Sequence, residues 1–74
     1  MPPEKTDFDI LRDIHRRFRA NPEIDPEALD VDVREGVVTL NGTLQSDDSH
    51  QAVLKEAADA AGVKKVIDNL NVAD

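Results

Sequence analysis

The sequence contains no cysteine, no tryptophan and no tyrosine, and it has only two phenylalanines and three glycines in 74 residues. Without cysteine the chain has no disulfide, no thiol nucleophile and no thiolate metal ligand. With a net charge of −7 and almost no aromatic residues, it lacks both the positive field and the stacking side chains of nucleic-acid-binding proteins, so we expect no nucleic-acid partner. No segment approaches the ~20 apolar residues of a membrane-spanning helix.

Signatures of catalysis and of metal binding are missing as well. The three glycines are too scattered for a phosphate-binding loop, and Ser46 and Ser49 beside His50 are typical of a helix start rather than of a catalytic triad. The carboxylates of Asp30, Asp32 and Glu35, or the two histidines, would supply too few ligands for a metal ion. We therefore expect a non-enzymatic protein with no cofactor and no metal site.

The stretch 29–44, LDVDVREGVVTLNGTL, predicts a β-hairpin. Apolar and polar residues alternate on both sides of Glu35-Gly36, which is the pattern of two strands with one buried face. A two-residue turn at Glu35-Gly36 sets Val33 opposite Val38 and brings the apolar side chains to one face: Leu29, Val31, Val33, Val38, Leu40 and Leu44. The opposite face is predicted to be polar and uncovered.

A first amphipathic helix is predicted before the hairpin. It begins at Thr6 or Asp7 and runs to about Ala20, where Asn21-Pro22 ends it. Its apolar stripe contains Ile10, Leu11, Ile14 and Phe18.

A second helix and a third strand follow the hairpin. Ser46 caps the helix and Gly62 closes it, and its apolar face contains His50, Val53, Leu54, Ala57, Ala58 and Ala61. In the final segment 63–72 apolar residues alternate again, but Asp68 breaks the inward-facing series. An unpaired carboxylate under a helix is unfavourable, so Asp68 predicts a bulge or an edge position.

The order α-β-β-α-β predicts a two-layer α+β sandwich, in which two antiparallel helices cover one face of a mixed three-stranded sheet. We assign residues 7–73 to a single domain and residues 1–6 to a disordered tail. The first residues lack the apolar segment of a signal peptide. We therefore expect a cytoplasmic location for the chain as written, and a periplasmic or envelope location if it is a piece of a longer protein.

The first helix carries the more basic of two candidate surfaces. Arg12, Arg16 and Arg19 share one face, with Phe8 beside them as a possible shallow apolar anchor. Such a face is typical of contact with phosphates or lipid headgroups. The alternative, which is the commoner case for surface helices, is a solvated face on which Asp9 and Asp13 pair with Arg12, Arg16 and Arg17 one turn away.

The polar face of the sheet is the second candidate surface. Val37, Thr39 and Ile67 point outward there among polar neighbours. These residues, or the edge of the final strand, suit a protein partner or a second copy of the chain.

Three runs of residues resemble the BON domain, named for bacterial osmotically inducible and nodulation-related proteins. They are GVVTLNGTL (36–44), AAGV at the end of the second helix (60–63) and KKVIDNLNV (64–72). The resemblance extends from about Phe8 to Val72, and the matching positions are turn formers and core residues. It implies a non-enzymatic module, often found in envelope proteins and linked to osmotic stress, for which attachment to phospholipid membranes is usually proposed.

Three functions are compatible with this resemblance. The first is attachment to a membrane surface or to phospholipid through Phe8, Arg12, Arg16 and Arg19. The second is protein interaction or oligomerisation through Val37, Thr39 and Ile67. The third is sensing of a monovalent cation, because a potassium-binding member of the family is known; its ligands would be backbone carbonyls.

Overall fold

The computed structural model describes residues 6–73. Its elements are α1 (Asp7–Ala20), a 3₁₀ turn (Pro26–Ala28), β1 (Leu29–Arg34), β2 (Val37–Leu44), α2 (Asp47–Asp59) and β3 (Lys65–Val72). The strands form one sheet in the order β1-β2-β3, with β1 antiparallel and β3 parallel to β2. This confirms the predicted α-β-β-α-β sandwich. The tail predicted for residues 1–6 lies, apart from Thr6, outside the described residues.

The register of the hairpin is the one that the sequence predicts. Val33 lies opposite Val38, Val31 opposite Leu40, and Leu29 opposite Gly42. Glu35 and Gly36 both have positive φ, at 52° and 82°, which is the turn that matches the twist of two antiparallel strands.

The first turn of α1 is fastened to this hairpin turn. Thr6 and Asp9 form a capping box, in which each side chain accepts a hydrogen bond from the backbone N–H of the other. The carboxylate of Asp7 accepts from the N–H of Glu35 at 2.9 Å and from that of Gly36 at 3.1 Å. The start of the helix is therefore fixed relative to the sheet.

The core lies between the sheet and the two helices. α1 packs mainly on β1 and α2 mainly on β3. Arg17 of α1 and Asn21, which follows α1, both contact Glu56 near the end of α2. Near the start of α2, the Ser49 hydroxyl donates to the carbonyl of Glu23. The two helices therefore run antiparallel. The buried side chains are Ile10, Ile14, Phe18, Ile24, Val38, Leu40, Leu44, Val53, Ala57 and Ala60.

The end of α2 differs from the prediction. The helix stops at Asp59, and Ala60 follows in an extended conformation with its side chain buried. The prediction is therefore wrong for Ala58 and Ala61, which are both exposed. Gly62, with φ of 91°, lies in the turn after the helix rather than directly at its end.

β3 is an edge strand, which confirms one of the two alternatives predicted from Asp68. Its pairing with β2 is regular from Lys65 to Val72, so no bulge is present in it. Asp68 faces the helices, where its Oδ2 lies 2.7 Å from Nε2 of His50 and its Oδ1 accepts the N–H of Leu70. The carboxylate is thus paired, and its side-chain partner is the ring of His50.

Candidate functional site

The exposed side of α1 carries the predicted basic surface. Phe8, Arg12, Arg16 and Arg19 recur at helical spacing, and all four are exposed because the core takes the opposite side of the helix. We call these four residues the α1 stripe. Phe8 is 65% exposed and is the one large apolar side chain within residues 6–73 that is open to solvent.

Phe8 and Arg12 form a pair at the start of the stripe. The guanidinium carbon of Arg12 lies 5.7 Å from the centroid of the Phe8 ring. A cation–π contact at an exposed site contributes about 0.5–1 kcal/mol. It holds an apolar ring and a cation together at one point of the surface.

Ion pairs distinguish the arginines of α1 from one another. Asp13 accepts from Arg16 and from Arg17, whose Nε lies 3.1 Å from Asp13 Oδ2. The hydrogen bond from Arg17 is the main reason that the pKa of Asp13 is lowered, and the same bond raises the pKa of Arg17. Among residues 6–73, Arg12 and Arg19 take part in no ion pair.

These contacts show which of the predicted ion pairs between aspartates and arginines of α1 form. Asp13 does pair with basic residues one turn away, as the interpretation of a solvated face requires. The same prediction is wrong for Asp9, because its carboxylate is taken by the capping box with Thr6. The stripe therefore presents two cations that have no ion-pair partner in the described part of the chain, and the apolar ring of Phe8 lies beside the first of them.

The second predicted surface lies on the other side of the molecule. Thr39 is flanked by Asp32 on β1 and Ile67 on β3, and Val37 lies in the next row of the sheet. Val37, Thr39 and Ile67 are each half-buried although neither α1 nor α2 covers this side. The structure thus brings the three predicted residues into one patch.

Lys65 is the residue of this face that sequence reasoning missed. It lies directly beside Val37, which itself lies opposite Arg34. The signal was available in the sequence, because an inward-facing Val66 implies an outward-facing Lys65. On the same face Arg34 Nε lies 3.1 Å from Asp32 Oδ2, and both side chains are largely exposed, at 84% and 58%.

Within residues 6–73 neither a metal-ion site nor a membrane-spanning helix is present. Over residues 6–73 no group of three or more histidine, cysteine, aspartate or glutamate side chains is arranged to hold a metal ion. Neither α1 nor α2 combines the length and the apolarity that crossing a bilayer requires.

Comparison with known proteins adds one finding. A family model for the BON domain matches residues 6–74, which is nearly the whole chain. No curated protein matches it.

Proposed function

The chain belongs to the BON domain family, whose members are generally non-catalytic binding modules, and we propose that it binds the surface of phospholipid membranes through the α1 stripe. The observation that supports this proposal is the exposed Phe8 ring with Arg12 beside it, followed along the helix by Arg19. An apolar side chain next to cations is the combination by which helices lie on a lipid interface. Potassium sensing stays a prediction.

The two kinds of contact would contribute comparable amounts. Full burial of a phenylalanine side chain is worth about 1.5–3 kcal/mol. Each arginine near an anionic membrane surface contributes about 1 kcal/mol. Phe8, Arg12 and Arg19 together therefore give a dissociation constant in the millimolar range for one isolated domain.

The acidic net charge opposes this attraction less than its size suggests. Asp30 and Asp32 lie on the open face of the sheet, and the whole diameter of α1, about 10 Å, separates the stripe from the sheet. The Debye length at physiological ionic strength is about 8 Å, so these carboxylates are largely screened from a membrane at the stripe. Within α1 itself four arginines outnumber three aspartates, so the helix is locally positive on an acidic chain.

Vesicle binding by matched charge reversals tests the proposal. The Arg12→Glu, Arg19→Glu variant changes the stripe, and the Arg34→Glu, Lys65→Glu variant makes the same change of net charge on the open sheet face. With vesicles of an anionic phospholipid at low salt, sedimentation should show binding by the wild type and by the sheet-face variant, and loss of binding by the stripe variant.

Two further measurements complete this test. Phe8→Ala should weaken binding at low and at moderate salt, whereas raising the salt concentration should remove only the arginine contribution. Equal loss in both charge-reversal variants would mean that net charge alone controls binding. Absence of wild-type binding at low salt, where the attraction is strongest, would contradict the proposal.

A further inference from the structure

The open face of the sheet is electrically balanced, although the chain is not. β1 contributes Asp30, Asp32 and Arg34 to this face, β3 contributes Lys65, and β2 contributes no charged residue. The two acidic and two basic groups cancel on a chain whose net charge is −7. Two copies of the chain repel each other overall, and on this face that repulsion is absent.

The charges of this face are also separated along the strands. Arg34, Val37 and Lys65 form the row nearest the hairpin turn. The next row is Asp32-Thr39-Ile67, and the third is Asp30-Asn41-Asn69. The cations thus occupy one end of the face, and the carboxylates follow at intervals of about 7 Å along β1.

The two ends of the face differ in polarity. Val37, Thr39 and Ile67 are neighbours and half-buried, in the two rows nearest the hairpin turn. The far end carries the exposed polar side chains of Asn41, Thr43, Asn69 and Asn71. The two rows nearest the turn are therefore the part of the face suited to an interface.

We propose that this face binds a second copy of the chain, with the two sheets packed face to face and their strands antiparallel. A two-fold axis across the strands, between the Arg34 row and the Asp32 row, sets Arg34 of each copy against Asp32 of the other. The same axis sets Val37 against Thr39. A two-fold axis parallel to the strands would instead bring Arg34 onto Lys65, which like-charge repulsion disfavours.

The size of the face sets the strength of this association. With the axis between the Arg34 row and the Asp32 row, only these two rows of each copy overlap, an area of about 14 Å by 14 Å that buries roughly 400 Å² over both copies. Stable interfaces bury about 1,200–2,000 Å². The dimer is therefore weak, and it becomes populated only as the concentration approaches millimolar.

Complementary charge swaps test both the surface and the register. By analytical ultracentrifugation of the full chain, Arg34→Asp alone and Asp32→Arg alone should each abolish association, because each brings like charges together across the axis. An equimolar mixture of the two variants should associate again, since the new carboxylate at position 34 then faces the new guanidinium at position 32. Both substitutions in one chain should restore self-association as well.

The control is Arg19→Asp, which makes the same charge change on α1 and should leave the association constant within about twofold of the wild type. Both swapped side chains are largely exposed, and circular dichroism verifies that each variant is folded. A wild type that stays monomeric up to millimolar concentration would overturn the proposal. So would a mixture that fails to associate, or an equal loss of association in Arg19→Asp.

Discussion

The hairpin and β3 belong to one sheet but are held in it by different contacts. The hairpin is defined by its backbone: a two-residue turn with positive φ, and a close approach of Gly42 to Ala28. β3 reaches β2 through the crossover helix α2, and it lies at the edge of the sheet. Between its helix-facing side and α2 lies the side-chain pair of Asp68 with His50.

The hairpin and β3 therefore depend on two different kinds of contact, between residues close in sequence and between residues far apart in it. The contacts of the hairpin join residues that are close in sequence, so a local pattern of residues is sufficient to specify them. The contacts of β3 join residues that meet only after α2 has packed on the sheet. Substitutions should therefore affect the hairpin through backbone geometry and β3 through side-chain chemistry.

Gly42→Ala is expected to cause the largest loss of stability. A Cβ at this position would lie 2.2 Å from the carbonyl oxygen of Ala28, and φ is +146°. Backbone strain alone costs about 1–3 kcal/mol, and a domain of this size has a net stability of about 3–5 kcal/mol. With the clash added, we expect the variant to be largely unfolded, seen as loss of the cooperative urea transition by circular dichroism.

Gly62→Ala is the control for this prediction. Gly62 also has a positive φ, of 91°, but it lies in an exposed turn. Its substitution should show the cost of backbone strain alone, about 1 kcal/mol. Equal destabilisation by the two variants would show that the approach to Ala28 is not what position 42 requires.

The features that the sequence predicts well are those defined by residues close in sequence. The sequence predicts the hairpin register pair by pair, because a two-residue turn at Glu35-Gly36 brings the alternating apolar residues of both strands, Val37 excepted, to one face. The helical positions of Phe8, Arg12, Arg16 and Arg19 follow in the same way from a period of 3.6 residues.

Contacts between elements were not predictable in this way. The sequence marks Asp68 as anomalous, but its partner lies 18 residues away and is defined only by the packing of α2 on β3. Similarly, Asp9 and Asp13 are both spaced for arginine pairing, and only the capping box shows that Asp9 is already engaged. Only the structure therefore shows which cations of α1 have no ion-pair partner among residues 6–73.

Asp7→Ala is expected to have an intermediate effect on the hairpin. The substitution removes the acceptor for two backbone N–H groups of the turn, of which that of Gly36 is partly buried. Leaving a buried donor unsatisfied costs about 1–3 kcal/mol. We expect a loss at the lower end of this range in the free energy of unfolding, measured by urea titration, together with faster amide hydrogen exchange at Gly36.

Asp7→Asn supplies the comparison for this variant. It keeps one acceptor oxygen at the turn, so it should retain part of the stabilisation. If Asp7→Ala and Asp7→Asn were equally stable and equally protected at Gly36, the charge of Asp7 at the helix start, rather than its bonds to the turn, would be the cause.

Asp68→Asn is expected to have the smallest effect, and one that depends on pH. The N–H of Leu70, and then His50, hold the pKa of Asp68 below its ordinary value of 3.8, while burial acts in the opposite direction. Because the folded-state pKa lies below the unfolded one, the stabilisation is complete above about pH 4 and is lost as the pH falls through the folded-state pKa. The variant should be about 0.5 kcal/mol less stable at neutral pH and should lose less stability on acidification.

Urea titrations at a series of pH values measure both the loss of stability and its pH dependence. Asp30→Asn on the open face is the control, because it makes the same charge change without touching β3.

Hydrogen exchange distinguishes the two regions: Asp68→Asn should increase exchange in β3 more than in β1 and β2, because the pair with His50 links β3 to α2. The same increase in all three strands would mean that β3 unfolds only together with the hairpin. The pair of Asp68 with His50 would then stabilise the whole domain rather than its edge.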